Sequence, residues 1–342
     1  MKIKNIIVIG ATGNVGRKVV EFILQRQLAK PEQLRLMAST QSIGKQISIA
    51  GVDFTIEATD ETSFAKNDLC IFNTESEISA YYIPKAIAAG AYVIDSSSHY
   101  RLHPDVPLII PPVNQGLINI EQRLYAHANC LASPIATALA PLHQAFNVFK
   151  ANAVTYQSTS GAGKKPMDEC WQETKSLIEQ KSYTRTCFQR QIAFNVIPQV
   201  GGIRDDGYTF EEYKIIHEVK KVLGNDILMT STAVRVPVMI GHSIALTVEF
   251  KKSFSLDEIK NVLKQAPFVQ LSDNHYSTPV EVVGSDDVFV GRIKRDNTCE
   301  NGLHLWLCSD NLRRGAATDA VEIAERLLLC LDERSKENYK IA

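Results

Sequence analysis

The stretch that most restricts what this chain can fold into lies near its start, where Asn5-Ile6-Ile7-Val8-Ile9 runs directly into Gly10-Ala11-Thr12-Gly13-Asn14-Val15-Gly16. A continuous apolar run is the pattern of a strand buried on both faces, as in a parallel sheet covered by helices. A helix follows, with Val15, Val19, Phe22 and Ile23 on one face. Glycines between strand and helix let backbone N–H groups approach a pyrophosphate at the helix N-terminus. Alone, such glycines make only a tight turn that packs well; in this context they predict a dinucleotide-binding βα unit with Gly10, Thr12, Gly13, Asn14, Val15 and Gly16 at the cofactor.

The second strand, Leu34–Ala38, ends where NAD-specific folds place a carboxylate for the ribose hydroxyls. Here it ends in Ser39-Thr40-Gln41-Ser42. Hydroxyls and an amide can hydrogen-bond a 2′-phosphate and no carboxylate repels it, so Ser39, Gln41 and Ser42 favour NADP over NAD. Apolar strands at 69–72 and 92–94, with a helix-like segment through 80–89 between them, continue a βαβ alternation. Asp95 to Arg101 and Pro111 to Asn114 read as polar loops at carboxyl ends of strands, where ligands bind.

Beyond residue 130 the character changes. Segments 152–159, 233–238, 243–250 and 302–307 alternate apolar and polar residues, predicting a largely antiparallel second sheet with one solvated or interface face. Helices are predicted from Lys165 to about Ser182, over Phe210 to Leu223, and over Leu256 to Ala266 behind the capping sequence Ser255-Leu256-Asp257-Glu258. A last amphipathic helix from Arg314 to about Leu331 can return to the first domain. The fold class is therefore α/β: a Rossmann-like domain of residues 1–128 plus about 314–342, and an α+β catalytic and dimerisation domain of 129–313 with a largely antiparallel mixed sheet. A length of 342 residues suits two such domains.

Lysine plus arginine total 37 against 38 acidic residues, which argues against nucleic acid or an anionic membrane as partner and for a small-molecule substrate. No apolar run reaches the roughly 18 residues of a membrane span, and no basic leader precedes the first strand. The seven cysteines are odd in number and lack metal-ligand spacing, so they read as reduced thiols of a cytoplasmic protein without a metal.

One of those cysteines stands apart. In Ala128-Asn129-Cys130-Leu131-Ala132-Ser133-Pro134, proline suits the first turn of a helix and Cys130 faces its positive end. That end favours the thiolate, the form that attacks carbonyl carbon, whereas the plainer reading is a small buried thiol. Candidate partners follow: the amide and hydroxyls of Gln157-Ser158-Thr159-Ser160-Gly161, the arginine and histidine of Arg235 through His242, and Glu211 with Lys214 at i, i+3 on one helix. Each of these alone reads equally as a loop, a structural histidine or a surface ion pair.

Taken in order, these motifs, with Asp95-Ser96-Ser97, Pro104 to Leu108, Ala193 to Pro198 and Asp310-Asn311-Leu312-Arg313-Arg314-Gly315-Ala316-Ala317, resemble the aspartate-β-semialdehyde dehydrogenases over nearly the whole chain. The resemblance implies NADPH-dependent reduction of L-aspartyl-4-phosphate to the semialdehyde through a thioacyl intermediate on Cys130. It implies His242 as acid/base, Gln157 orienting the acyl group, Arg235 on the substrate carboxylate and Glu211 on its ammonium. Lys214, Arg101 and Asn129 match the phosphate pocket, and Ser160, Gly161 and Glu322 the cofactor. A homodimer, or a homotetramer built from it, is also implied. The chain departs from the family pattern at Leu131-Ala132 (Ser-Thr), Gln41 (Arg), Glu75 and Glu77 (a small-residue turn), Pro112 (Glu), and Asp319 and Glu322 (Asn and Gln). Two alternatives stay open: a binding protein with a degraded cofactor site, and a dehydrogenase of another acyl phosphate such as N-acetylglutamyl phosphate, which has no free ammonium for Glu211.

Overall fold

The computed structural model describes residues 3–272 and 275–341, the side chains of 335–341 excepted. The chain divides into two units, Met1–Ala128 with Ala316–Ala342, and Asn129–Gly315.

In the first unit β1 (Ile6–Ile9) leads into α1 (Asn14–Gln25), then β2 (Leu34–Ala38), the hairpin β3 (Gln46–Ile49) and β4 (Val52–Thr55), β5 (Glu57–Ala58), β6 (Leu69–Phe72), α2 (Ser76–Ala88), β7 (Tyr92–Asp95), β8 (Leu108–Ile109), α3 (Pro111–Asn114) and β9 (Leu124–His127). Seven strands form one parallel sheet in the order β5-β2-β1-β6-β7-β9-β8. Every residue of β1, β6 and β7 is buried, the reason these segments read as unbroken apolar runs. The core joins the sheet to Val19, Val20, Phe22 and Ile23 of α1 and to Ala320, Val321, Ala324 and Leu327 near the end of the chain. Pro111 to Asn114 is a short helix and not the predicted loop. Its two prolines occupy first-turn positions that need no N–H, and Asn114 ties the turn down by accepting from Ile110 N at 2.8 Å and donating to Leu108 O at 2.9 Å.

The second unit contains α4 (Ala132–Phe146), β10 (Val148–Gln157), α5 (Lys164–Ile178), α6 (Phe210–Leu223), β11 (Leu228–Arg235), β12 (His242–Phe250), α7 (Leu256–Gln265), β13 (Val269–Leu271), α8 (Pro279–Val282), β14 (Val288–Arg295) and β15 (Gly302–Ser309). Its sheet runs β11-β10-β12-β15-β14-β13. The three central pairings are antiparallel, but β11 on β10 and β13 on β14 are parallel, so the sheet is mixed. The strand predicted at 233–238 starts earlier and stops at Arg235, because Pro237 has no N–H for the ladder. A π-helical turn, Arg313–Ala317, precedes α9 (Thr318–Ile341), which begins later and runs further than its apolar periodicity suggests. Among the described residues no helix is long and apolar enough to cross a membrane.

Candidate active site

Three strand ends of the second unit converge. Gln157 closes β10, Arg235 closes the parallel neighbour β11 in register with it, and His242 opens β12, which pairs antiparallel to β10. Cys130 stands just before α4, whose first turn has no acidic residue to disfavour a thiolate. Its Sγ lies 3.4 Å from His242 Nε2. Sequence positions 112 apart are thus in contact.

Asn129 sets the backbone that presents this thiol. Its Oδ1 accepts from Leu131 N at 2.8 Å, its Nδ2 donates to Glu211 Oε1 at 2.9 Å, and its own N–H donates to Glu218 Oε2 at 2.6 Å. Glu211, Lys214 and Glu218 share one face of α6, and the first two form an ion pair of 2.6 Å. This pair is not the surface feature that i, i+3 spacing first suggests, since Glu211 is 7% exposed. Burial works to raise the Glu211 carboxyl, but Lys214, the Asn129 amide and Arg235 outweigh it and hold it below the usual carboxylate range.

Arg235 is buried, and its Nη1 donates to Ser158 O at 2.6 Å. Gln157 is buried and its Nε2 donates to Thr155 Oγ1 at 3.3 Å. Ser160 and Gly161 belong to the same cluster. Ser160 Oγ donates to Asn311 Oδ1 at 3.1 Å, and a Cβ on Gly161 would fall 3.0 Å from His242 Nε2 and 3.3 Å from Arg235 Nη1. Only a residue without a side chain leaves that space open. His242 is wholly buried; desolvation, then the Arg235 charge, push its imidazole down to about 3.

Glu218 is absent from the sequence analysis, and Ser158 and Asn311 appear there only inside motifs, with no individual role. Glu218 had a readable signal, since it lies seven residues beyond Glu211 between the buried Ile215 and Val219. The contact of Asn311 had none: its bond to Ser158 Oγ, at 3.0 Å, spans 153 positions.

The remaining candidates lie in the first unit. Arg101 is buried and its Nη2 donates to Ser96 O at 2.6 Å. Gly10 has φ +79°, and a Cβ there would sit 2.2 Å from Asn73 O, so the loop after β1 closes only with glycine. Thr12 and Gly13 lead into α1, whose first turn holds Asn14, Val15 and Gly16 and has no acidic residue. Asn14 Nδ2, at the first position of α1, and Asn73 Nδ2, on the loop after β6, are buried without a hydrogen-bond partner. Two buried donors beside an anion-favouring helix end fit a dinucleotide pyrophosphate. Ser39, Gln41 and Ser42 follow β2 with Ser39 and Gln41 exposed. Glu75 and Glu77 are exposed at the start of α2, where the helix dipole favours carboxylates. Glu322 Oε1 lies 3.9 Å from Arg26 Nη2.

Comparison with known proteins gives this geometry its setting. A family model described as "Semialdehyde dehydrogenase, NAD binding domain" matches residues 5–120, and one described as "Semialdehyde dehydrogenase, dimerisation domain" matches 139–314. The aspartate-semialdehyde dehydrogenase of Rickettsia bellii is 41% identical over 95% of this chain and 97% of its own. The chain belongs to the aspartate-semialdehyde dehydrogenase family. The Bacillus subtilis member is 35% identical over 94% of this chain and 97% of its own. A crystal structure of aspartate semialdehyde dehydrogenase II from Vibrio cholerae, complexed with ASA, superposes with a TM-score of 0.90 at 35% identity, covering 96% of this chain and 99% of that one.

Proposed function

We propose that this member of the family is an NADP-dependent aspartate-semialdehyde dehydrogenase that reduces L-aspartyl-4-phosphate to L-aspartate 4-semialdehyde and phosphate, in the biosynthesis of lysine, threonine and methionine. The observation that carries the reading is the 3.4 Å contact of Cys130 Sγ with His242 Nε2, within a cluster that also holds the buried charges of Arg235 and Glu211.

Each group has a task. Cys130 Sγ attacks the acyl carbon; the S–C bond forms as the C–O bond to phosphate breaks, and its electron pair leaves with phosphate. The thioester is a better hydride acceptor than a carboxylate and cannot diffuse away. Arg235 presents a planar guanidinium to the substrate carboxylate. Glu211, held ionised, receives the ammonium, which disfavours an N-acetylated substrate. Lys214, Asn129 and Arg101 serve the phosphate, and Gln157 orients the acyl group. NADPH supplies the hydride when bound. Gly10, Thr12, Gly13, Asn14, Val15 and Gly16 would hold its pyrophosphate, Ser39, Gln41 and Ser42 its adenosine end, and Ser160, Gly161 and Glu322 the nicotinamide end. The dimerisation-domain match supports a homodimer; beside it we place a homotetramer built from that dimer as the other assembly, and a cytoplasmic location.

The test is to incubate purified protein with aspartate semialdehyde, phosphate and NADP, with NAD in parallel, and follow absorbance of the reduced nicotinamide. Reduction of NADP faster than NAD is the expected result. Folded protein that reduces neither would overturn the reading.

A further inference from the structure

Helix α6 buries Glu211, Glu212 and Glu218, and each carboxylate holds a different group. Glu212 accepts from Ala233 N of β11 at 2.8 Å and, in the capping box with Thr209, from Thr209 N at 2.6 Å, which pins the helix to the neighbouring strand. Glu211 accepts from the Asn129 side chain and pairs with Lys214. Glu218, two turns further along the same face and wholly buried, accepts from the backbone N–H of Asn129 at 2.6 Å. Its charge acts on the half-buried Lys221 one turn on, so it is not buried alone.

The bond from Glu218 falls on the main chain, one residue before the nucleophile. The Asn129 carbonyl accepts from Ser133 N at 2.9 Å, and its Oδ1 accepts from Leu131 N at 2.8 Å. Helix α4 has no side-chain cap at Leu131, so Asn129 supplies the acceptors for its first turn and Glu218 holds Asn129. A second backbone segment closes on Cys130 itself. A Cβ on Gly315 would fall 2.6 Å from Cys130 Cα and 3.2 Å from Ser133 Cβ. Gly315 has φ +78° and lies in the π-helical turn Arg313–Ala317, a geometry that recurs at functional sites. The Cys130 peptide is therefore bonded at its leading end and closely packed at its Cα.

We propose that Glu218 is a positioning residue for Cys130, acting through the reach of its carboxylate to the Asn129 N–H and not through its charge. This rests on Cys130 being the nucleophile. A reacting group has to be held within about 0.5 Å of its productive place, and a displacement of about 1 Å can cost on the order of 10²-fold in rate. The sulfur has a second reason to stay in place, since its contact with His242 Nε2 is already 3.4 Å. Glu211 also receives the substrate ammonium, whereas Glu218 is bonded to the main chain, so loss of Glu218 acts on kcat and leaves KM for the substrate in place.

Reach and charge separate in two substitutions. Glu218→Gln keeps the length and an acceptor oxygen without the charge; Glu218→Asp keeps the charge and is one methylene too short, on a helix that Glu212 prevents from following. Alkylation of Cys130 by iodoacetamide at neutral pH, read by mapping the modified peptide, should stay within about threefold of wild type in the glutamine variant and fall about tenfold or more in the aspartate variant. The kcat for aspartate semialdehyde should follow the same order with KM changed by less than about twofold, whereas Glu211→Gln raises KM. An aspartate variant as reactive as wild type, a glutamine variant as slow as the aspartate one, or an effect on KM in place of kcat overturns the proposal. If the aspartate variant does not fold, the glutamine variant still decides between reach and charge, and the wild-type protein is tested by hydrogen exchange: the Asn129 amide should be protected, and exchange as fast as in an exposed peptide overturns the proposal. Alkylation requires no substrate, so variants that fall in the expected order in a protein that fails to turn over aspartate semialdehyde refute the proposed activity and leave the role of Glu218 standing.

Discussion

Helices α1 and α4 both begin without an acidic residue in the first turn, and both offer their positive end to an anion. They are finished differently. Ahead of α4 the polar groups of Asn129 are bound within the protein, by Leu131, Glu211 and Glu218, and the thiol meets an imidazole already placed. Around α1 the amide nitrogens of Asn14 and Asn73 are buried and unbonded. The α4 end is bonded within the protein in the way a nucleophile fixed in advance of catalysis would need. The second is completed by what binds there, and the cost of two unsatisfied donors is recovered only then.

The contrast can be tested most severely at the nucleophile. Cys130→Ser should lower turnover on the order of 10³-fold or more while leaving the melting temperature nearly unchanged; retained turnover would show that the α4 site is not where chemistry occurs. Next, Asn129→Ala removes two bonds and leaves the buried Glu211 carboxylate short of a donor. Thermal or denaturant unfolding should register a loss of roughly 2–3 kcal/mol. A neutral result would mean that the α4 site is not preorganised by these contacts.

Acid should strain the second unit through His242, whose folded value of about 3 lies below its ordinary 6.5. Above 6.5 neither the folded nor the unfolded ring is charged. As pH falls from 6.5 toward 3 the unfolded ring takes a proton that the folded one refuses. Stability should therefore drop by ~1.4 kcal/mol per pH unit in that window. His127 of the first unit, lowered by burial and then by Arg101, acts in the same direction. Replacing His242 with glutamine should flatten the slope measured by urea unfolding at a series of pH values. The smallest stability effect belongs to the other helix. Asn14→Ala deletes an unsatisfied donor, so stability should move by no more than ~0.5 kcal/mol, while the KM for NADP rises severalfold. A large loss of stability would break the distinction between the two sites.

Much of the molecule was legible from short-range pattern. The apolar run of β1, the glycines after it and the capping box at Ser255, which accepts from Glu258 N, are local features whose physics is complete within a few residues. Helix α6 was equally readable, and with it the shared face of Glu211 and Lys214. The burial of that face was not, because an i, i+3 pair looks the same whether its helix faces water or Asn129. The parallel edge pairings of the second sheet were also hidden, since alternation along a strand reveals which residues face which side but not which strand lies next to it.

The sequence by itself determined the two kinds of sheet, the helix mouths that suit anions, and the residue types for acyl transfer. Only the tertiary structure decided that β10 and β11 end where β12 begins, bringing His242 and Arg235 to Cys130, with Gln157 in register with Arg235. It alone decided which ring nitrogen of His242 faces sulfur and which faces the Ser158 amide. The reason is physical: side-chain chemistry and helical period are properties of neighbours along the chain, whereas the partner of a buried polar group is whichever one the register of distant strands brings within hydrogen-bond reach.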